Sequence, residues 1–278
     1  MTSDDIEDTP DLTASWEEID VTDSAADRIA RSRDREFENF QAQLRDAEAF
    51  KVEASVFDDA TFAALYKLVQ DDVLAAIGGP ISTGKEANVY EARGGVGDDV
   101  AVKIYRVNAS DFRQMRAYLE GDPRFRGIGS DKRKVVLAWT RKEFANLRRA
   151  DAAGVRVPVP IAVERNVLVM ELVGAVTDRA RRLNEVDIEN PQTAFEVVRE
   201  YMRRLHTAGL VHGDLSEYNM IIHEGELVVI DLGQAVTVHH PRADEFLYRD
   251  CENIARFFAD LGVDVTAAGL MEWVSDDG

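Results

Sequence analysis

The 278-residue sequence has little cysteine, little lysine and no long apolar run. Its single cysteine, Cys251, excludes an internal disulfide framework and any zinc cluster built from several thiolates. No stretch predicts a membrane span, and the acidic N-terminus lacks the basic start and apolar core of a secretory signal peptide. We therefore expect a cytoplasmic protein without a membrane partner, long enough to bury a substantial core.

Lysine is scarce because the basic residues are mostly arginine. Only seven of the 33 Lys and Arg residues are lysine, against 52 Asp and Glu, and the net charge is −19. Such an acidic surface repels itself in dilute solution, whereas molar salt, in which the Debye length falls to about 3 Å, screens the repulsion. The composition indicates a halophilic host, with an acidic protein of an ordinary cytoplasm as the alternative. The same charge opposes nucleic-acid binding, so an RNA contact would need a local basic patch.

One segment carries polar side chains at fixed offsets. Asp214 is followed by Asn219, and Asp231 stands at the end of the apolar run 227–230. This spacing is typical of a kinase catalytic loop and the metal-binding Asp that follows it. In such a site Asp214 accepts the proton of the substrate hydroxyl, whereas Asn219 and Asp231 hold Mg²⁺ against the phosphates of ATP. The alternative is that Asp214 and Asn219 are turn residues and that Asp231 caps a loop. A turn, however, needs only one such side chain and not all three.

Lys103 alternates with apolar neighbours in a predicted inner strand. A buried ammonium is costly unless its charge is paired. In a kinase this lysine contacts the α and β phosphates and a helix glutamate, for which Glu143 is the best candidate. The alternative is that Lys103 extends its charged end to solvent and Glu143 pairs with Arg141 or Lys142.

The phosphate-binding loop departs from the G-x-G-x-x-G pattern of protein kinases, since the segment 82–88 contains one glycine, Gly84. The loop follows one predicted strand and precedes Val89, so Gly84 and the Ser82 hydroxyl are predicted to approach the phosphates while Lys85 adds charge. A second departure is Ser216, where many protein kinases carry a lysine. The histidines have no spacing that favours zinc, and His212 is expected to pack the loop.

The predicted organisation has four parts. Residues 1–50 are an acidic, partly disordered extension with a charged helix, anchored by Phe37, Phe40, Leu44 and Phe50. Residues 51–80 are a helical extension, in which an aspartate at 58 or 59 caps one helix and Gly78-Gly79-Pro80 ends the next. Residues 81–172 form a small lobe with an insertion at 108–134, and residues 173–278 form a reduced second lobe. Ile81 to Ala92, Val100 to Tyr105 and Val163 to Leu172 are predicted strands.

The combined loops resemble the RIO family of atypical serine kinases, in the archaeal form of its first subfamily. The resemblance extends from about Val56 to about Phe258 and is carried by Ser82-Thr83-Gly84-Lys85-Glu86, His212-Gly213-Asp214-Leu215-Ser216-Glu217-Tyr218-Asn219, Ile230-Asp231 and Asp250-Cys251-Glu252-Asn253. It implies an α+β, two-lobed, protein-kinase-like fold, with a small β-rich N-lobe and a minimal helical C-lobe.

The resemblance also implies ATP and Mg²⁺ as cofactors, with Mn²⁺ as a possible substitute, and the catalytic residues Asp214, Lys103 and Glu143. Adenine would be held by the backbone of Glu171 and Val173. The implied metal ligands are Asn219 and Asp231, and the implied nucleotide contacts are Ser82, Gly84, Lys85, Glu86, Val89, Lys103, Met170, Glu171, Val173, Asn219 and Asp231.

The family implies a role in maturing the small ribosomal subunit, with precursor rRNA and proteins as partners. Its members resemble ATPases that phosphorylate themselves, in some cases on the metal-binding Asp. Because the tail after Asp231 is short and lacks Ala-Pro-Glu, we expect little surface for docking a peptide. Two alternatives remain. One is a small-molecule phosphotransferase similar to aminoglycoside or choline kinases, and the other is a nucleotide-switched binding module for pre-ribosomal RNA and protein.

The insertion 108–134 is the densest basic stretch of the chain. We expect it to be disordered alone and to fold onto the pre-ribosome or over the nucleotide, with arginine making hydrogen bonds and stacking contacts. The alternative is a solvated loop whose cations pair with neighbouring acids. The basic residues are Arg113, Arg116, Arg124, Arg126, Lys132, Arg133 and Lys134.

Overall fold

The computed structural model describes residues 26, 29, 35–46, 57–107, 112–125, 131–175 and 178–276. The predicted disorder of residues 1–23 and the predicted anchor Phe50 lie outside them. The helices are α1 (Arg35–Asp46), α2 (Asp59–Gln70), α3 (Phe112–Leu119), α4 (Lys132–Ala152), α5 (Pro191–Thr207), α6 (Ala243–Asp260) and α7 (Ala267–Ser275). Among the described residues, no helix combines the length and the apolar character needed to cross a bilayer.

The strands form one large sheet and three small ones. The large sheet has the order β1-β2-β3-β5-β4, and every neighbouring pair is antiparallel. The strands are β1 (Leu74–Thr83), β2 (Ala87–Gly94), β3 (Asp99–Tyr105), β4 (Pro160–Glu164), β5 (Val167–Glu171), β6 (Gly174–Ala175), β7 (Asp178–Arg179), β8 (Arg181–Arg182), β9 (Leu210–Val211), β10 (Met220–His223), β11 (Glu226–Val229) and β12 (Val236–Thr237).

The large sheet separates a core from a cleft. Val102 and Ile104 on β3 pack in one cluster with Phe62 and Leu65 of α2. Because side chains alternate along a strand, Lys103 between them points to the opposite face. Helix α2 begins as predicted, since the Asp58 carboxylate accepts a hydrogen bond from Thr61 N at 2.7 Å. The sheet therefore presents Lys103 to the cleft and its apolar side to α2.

Two of the predicted strand boundaries are wrong. The segment Gly78-Gly79-Pro80 does not end a helix but lies inside β1, so the sheet begins at Leu74. Proline is tolerated there because β1 is an edge strand with register shifts around Pro80. The predicted strand from Ile81 to Ala92 is interrupted between β1 and β2, and the one from Val163 to Leu172 turns back at Arg165, which has φ +53°.

The second lobe is built on helices α5, α6 and α7, which share one core with the small strands. Helix α5 begins at Pro191, and α6 and α7 follow after Pro241. The strands place the functional loops, since Asp214 lies between β9 and β10 and Asp231 between β11 and β12. Strand β12 pairs with β9, so the two loops begin or end on the same small sheet.

The described part of the insertion, residues 112–125 and 131–134, is folded, in contrast to the predicted disorder. It contains α3 and the first turn of α4. Met115, Leu119 and Phe125 are buried in a cluster with Trp139 of α4. The predicted basic surface also differs, because Arg124 is only 2% exposed, whereas Arg126 lies outside the described residues.

Candidate active site

A cleft of about 520 Å³ lies between the large sheet and the second lobe. All of the residues predicted to contact nucleotide or metal line it, together with Glu143. Asp214, the predicted base, lies beside the cleft and is linked to it through Asn219. The predicted residues that line the cleft are Ser82, Gly84, Lys85, Glu86, Val89, Lys103, Glu143, Met170, Glu171, Val173, Asn219 and Asp231.

Lys103 bridges two carboxylates at the centre of the cleft. Its Nζ atom lies 2.7 Å from Glu143 Oε1 and 2.9 Å from Asp231 Oδ1. Burial alone would lower the pKa of Lys103, but the charges of Asp231 and Glu143 outweigh it and hold the pKa above its usual value. The Tyr105 hydroxyl also donates a hydrogen bond to Glu143. The ammonium is therefore charged and fixed in place. This observation argues against the alternative in which Lys103 extends its charged end to solvent.

Asp231 occupies an unusual backbone conformation at the mouth of β11. Its φ of +63° lies in the left-handed region, which costs a non-glycine residue about 1–2 kcal/mol. The Lys103 ammonium holds the pKa of Asp231 below its usual value, so the carboxylate is ionised at neutral pH. An ionised carboxylate directed toward a cleft is suited to binding a cation.

The Asp214 loop is held by its own side chains. Asn219 Nδ2 donates to Asp214 O at 2.8 Å and approaches Asp214 Oδ2 at 3.3 Å. The backbone N–H of Ile230 donates to Asn219 O at 3.0 Å, which joins this loop to the residue before Asp231. Burial raises the pKa of Asp214, and the nearby Asp231 carboxylate raises it further. A carboxylate with a raised pKa is a stronger proton acceptor than an ordinary aspartate.

Buried side chains from α6 support the Asp214 loop, and sequence reasoning gave them no role. Asp250 is 1% exposed and accepts hydrogen bonds from Gly213 N at 2.7 Å and Leu215 N at 2.8 Å. Burial raises the pKa of Asp250 to about 7. Arg249, next to it, donates to Gly213 O. The only sequence signal was the occurrence of Asp250 in the motif 250–253.

His212 has the packing role that was expected. Its Nε2 atom lies 3.2 Å from Ile230 O, and the residue is 2% exposed. Burial lowers the pKa of His212 to about 4, so the ring is neutral at physiological pH. A neutral ring that hydrogen-bonds the strand leading to Asp231 fixes the two loops relative to each other.

The loop 82–86 is exposed and held mainly by its own backbone. Gly84 N donates to Ala87 O at 3.0 Å and approaches Asn88 Oδ1 at 3.3 Å. A Cβ atom at Gly84 would lie 2.9 Å from Ala87 O, so the tight turn favours glycine. Ser82 and Lys85 are exposed at the cleft edge. The loop could therefore close over phosphates with little rearrangement of the core.

The far end of the cleft combines apolar walls with available backbone. Val89, Met170 and Ile221 line it, which suits the faces of a planar base. The Glu171 carboxylate is bound by Arg156 at 2.6 and 2.8 Å. Glu171 and Val173 both line the cleft, and the Glu171 N–H donates to Val159 O at 2.8 Å.

Asn219 and Asp231 supply the hard oxygen ligands that Mg²⁺ prefers. Mg²⁺ in phosphoryl-transfer sites is bound by one or two protein side chains and by phosphate oxygens. The part of the chain that the structure describes contains no group of three or more His, Cys, Asp and Glu side chains suited to a metal ion. The donor set fits an ion that arrives with a nucleotide.

The RIO domain family matches residues 88–269 of the chain. The RIO-type serine/threonine-protein kinase Rio1 of Haloferax volcanii is 74% identical over 262 residues, covering 94% of this chain and 90% of that protein. The Rio1 protein of Methanocaldococcus jannaschii is 38% identical over 245 residues, covering 87% and 84%. Human serine/threonine-protein kinase RIO1 is 36% identical over 94% of this chain, which spans 47% of the human protein. The Haloferax match supports the predicted halophilic archaeal source.

Solved structures show the same fold. The Rio2 kinase of Chaetomium thermophilum is 26% identical, with a TM-score of 0.62 over 78% of this chain and 69% of that one. The same kinase in an ADP/Mg²⁺-phosphoaspartate complex gives a TM-score of 0.60 at 25% identity, over 78% and 67%. The predicted α+β, two-lobed, kinase-like fold is confirmed. The chain thus belongs to the RIO family of serine/threonine-protein kinases.

Proposed function

We propose that the cleft binds ATP with Mg²⁺ and that Asp214 acts as the base in transfer of the γ-phosphoryl group. The observation that carries this assignment is the contact of Lys103 with both Glu143 and Asp231, in a cleft that also contains Asn219. Adenine would lie between the apolar walls against the backbone of Glu171 and Val173.

Each residue has one task in the proposed transfer. A serine hydroxyl attacks the γ-phosphorus, its proton passes to an Asp214 carboxylate oxygen, and the bond to the bridging oxygen of ADP breaks. The Lys103 ammonium offsets phosphate charge, and Glu143 holds that ammonium in place. Mg²⁺, held by Asn219 and Asp231, would neutralise charge on the β and γ phosphates. Nothing in the comparisons favours the predicted substitute, Mn²⁺.

We further propose that the chain phosphorylates itself and hydrolyses ATP. Only the segment 232–242 separates Asp231 from α6, which is too short for a long peptide-docking activation loop. The related Rio2 kinase has been seen with ADP, Mg²⁺ and phosphoaspartate. By analogy, the Asp231 carboxylate would attack the γ-phosphorus while the bond to the bridging oxygen breaks and ADP leaves. Water would then attack the acyl phosphate, releasing inorganic phosphate and regenerating the carboxylate. A phosphoenzyme that hydroxylamine cleaves would support this route.

The cellular role that we propose is maturation of the small ribosomal subunit, with precursor rRNA and proteins as partners. Its support is the family membership. The nucleotide-switched binding module remains compatible with this role if turnover resets binding, whereas the family membership argues against the small-molecule phosphotransferase. Small-subunit precursor particles should stimulate ATP hydrolysis in the absence of any peptide. Hydrolysis that is indifferent to the particles would argue against the role.

The assignment of base and metal ligand is tested by two isosteric variants. Asp214→Asn removes the proton acceptor and leaves both metal ligands, so turnover should fall by about two orders of magnitude or more while nucleotide binding persists. Asp231→Asn should weaken the Mg²⁺-dependent part of nucleotide binding. Calorimetric titration with and without Mg²⁺ separates the two effects. Equal Mg²⁺·ATP affinity in both variants, with full activity in either, would show the assignment to be wrong.

A further inference from the structure

The backbone that follows Asp231 is bound by buried side chains of α4. Asn146 Nδ2 donates to Leu232 O and to Ala235 O, each at 2.9 Å. Lys142 Nζ donates to Gly233 O at 2.7 Å. Both side chains are fully buried. Because residues four apart lie on the same helix face, Lys142 and Asn146 contact one loop together.

A second layer orients the Asn146 amide. Its Oδ1 atom accepts a hydrogen bond from Arg124 Nη1 at 2.7 Å. Arg124 is itself fixed by Asp122, whose Oδ2 atom lies 2.7 Å from Arg124 Nη2, and both residues are almost fully buried. Since a guanidinium has only donors, it selects the amide oxygen and directs the amide NH₂ group toward the two carbonyls.

The bound loop needs such support. Asp231 has its left-handed φ of +63°, and a Cβ atom at Gly233 would lie 2.9 Å from Trp139 Nε1. A strained backbone persists only where its surroundings fix it. Three carbonyls within four residues are bound by side chains from a single helix, and that helix also carries Glu143. Helix α4 therefore fixes Lys103 through one side chain and the loop of Asp231 through two others.

We infer that Asn146, oriented by Arg124, and Lys142 are positioning residues that hold the Asp231 carboxylate where it binds the metal ion. The inference rests on the proposed role of Asp231 as a Mg²⁺ ligand. It gives a function to Arg124, which belongs to the insertion and not to a minimal kinase lobe. Partners of metal ligands typically change metal affinity by about 10-fold to 100-fold when they are mutated.

Two variants remove the loop contacts and leave the rest of the network. Asn146→Asp keeps an oxygen for Arg124 but places a second oxygen against the carbonyls of Leu232 and Ala235. Lys142→Met keeps the length of the side chain and removes the donor to Gly233. The control is Thr140→Val on the same helix, because the buried Thr140 hydroxyl donates to the Val136 carbonyl one turn earlier and not to the loop after Asp231.

The experiment measures ATP turnover against Mg²⁺ concentration, nucleotide binding in EDTA, and thermal unfolding of each full-length variant. In Asn146→Asp, half-saturation by Mg²⁺ should need on the order of tenfold more metal, with metal-free nucleotide binding unchanged. Lys142→Met should also raise the Mg²⁺ concentration needed for half-saturation. Thr140→Val should lower the melting temperature and leave the Mg²⁺ dependence as in the wild type. If Asn146 and Lys142 had a purely structural role, their variants would show the same behaviour.

A folded Asn146→Asp protein with wild-type Mg²⁺ half-saturation overturns the inference. Should that variant not fold, Lys142→Met with wild-type half-saturation overturns it in the same way. Asp231→Asn distinguishes this failure from a failure of the proposed function. If Asp231→Asn also keeps the wild-type Mg²⁺ dependence, then the metal role of Asp231 is itself wrong. If Asp231→Asn loses the wild-type Mg²⁺ dependence while Asn146→Asp and Lys142→Met keep it, then only the positioning role fails.

Discussion

The two sides of the cleft are built differently. Above it, residues 82–85 are exposed, and the segment 82–86 is held by backbone bonds from Gly84 N to Ala87 O and from Arg106 N to Glu86 O. Below it, the Asp214 loop is bound by both oxygens of the buried Asp250. Buried polar groups are costly and appear where geometry must be exact. In the proposed reaction, the chain would therefore fix the base and the metal ligands and leave the segment 82–86 free to adjust to its ligand.

We expect the largest effect from removing the contacts below the cleft that hold the Asp214 loop. Asp250→Asn replaces one acceptor oxygen with an NH₂ group, which leaves either Gly213 N or Leu215 N facing a donor. Displacing a catalytic group by about 1 Å can cost about 100-fold, so turnover should fall by roughly that factor while nucleotide affinity stays close to wild type. Steady-state kinetics and nucleotide titration measure both. Asp244→Asn, an exposed site on the same helix, is the matched control. Equal loss in both variants would contradict the argument.

The next effect is a displaced pH profile. Burial and the charge of Asp231 raise the pKa of Asp214, and a base works only when deprotonated. As the pH falls, kcat/KM should therefore be lost at a higher pH than the ordinary aspartate pKa of about 3.9 would give. The pKa of Asp250 is also raised, so titration of Asp250 has to be separated from that of Asp214. The pH profile is therefore repeated with Asp250→Asn, in which the acid limb should stay at the same pH because Asp214 is still present. An acid limb near pH 4 in the wild type would contradict the assignment to Asp214.

The smallest effect is expected on the upper side. In Gly84→Ala the added Cβ would lie 2.9 Å from the backbone oxygen of Ala87, too close to fit, so the turn at Gly84 must shift to accommodate it. The KM for ATP should rise a few-fold, with kcat nearly unchanged, as steady-state kinetics would show. Gly79→Ala serves as control, since its nearest neighbour would be Glu91 Oε1 at 3.8 Å. A loss of kcat as large as that of Asp250→Asn would remove the contrast between the two sides.

Sequence spacing predicted that Asp214, Asn219 and Asp231 lie near one another because they sit in two short motifs. Asn219 immediately precedes β10 and Asp231 closely follows β11, and these two strands pair with each other, so the offset along the chain brings the two residues together. The strand boundaries near Pro80 were predicted less well, since glycine and proline end helices as readily as they occur in an edge strand.

Long-range polar contacts could not be predicted. Arg124 looked like part of a basic surface because its partner Asn146 is 22 residues away on another helix. Lys142 was considered only as an alternative partner of Glu143, yet it bonds Gly233 O, 91 residues away. A charged residue gives no sign in the sequence of whether it is buried, although Asp122, two residues before Arg124, was a local indication of pairing.

The pairing of β9 with β12 has a mechanical consequence. Val211 and Val236 are register partners, one just before the Asp214 loop and the other just after the Asp231 loop. The Asp214 and Asp231 loops are therefore tied to one small sheet that is separate from the large sheet carrying the segment 82–86. The distance between the two carboxylates is thus set within the second lobe, independently of the large sheet.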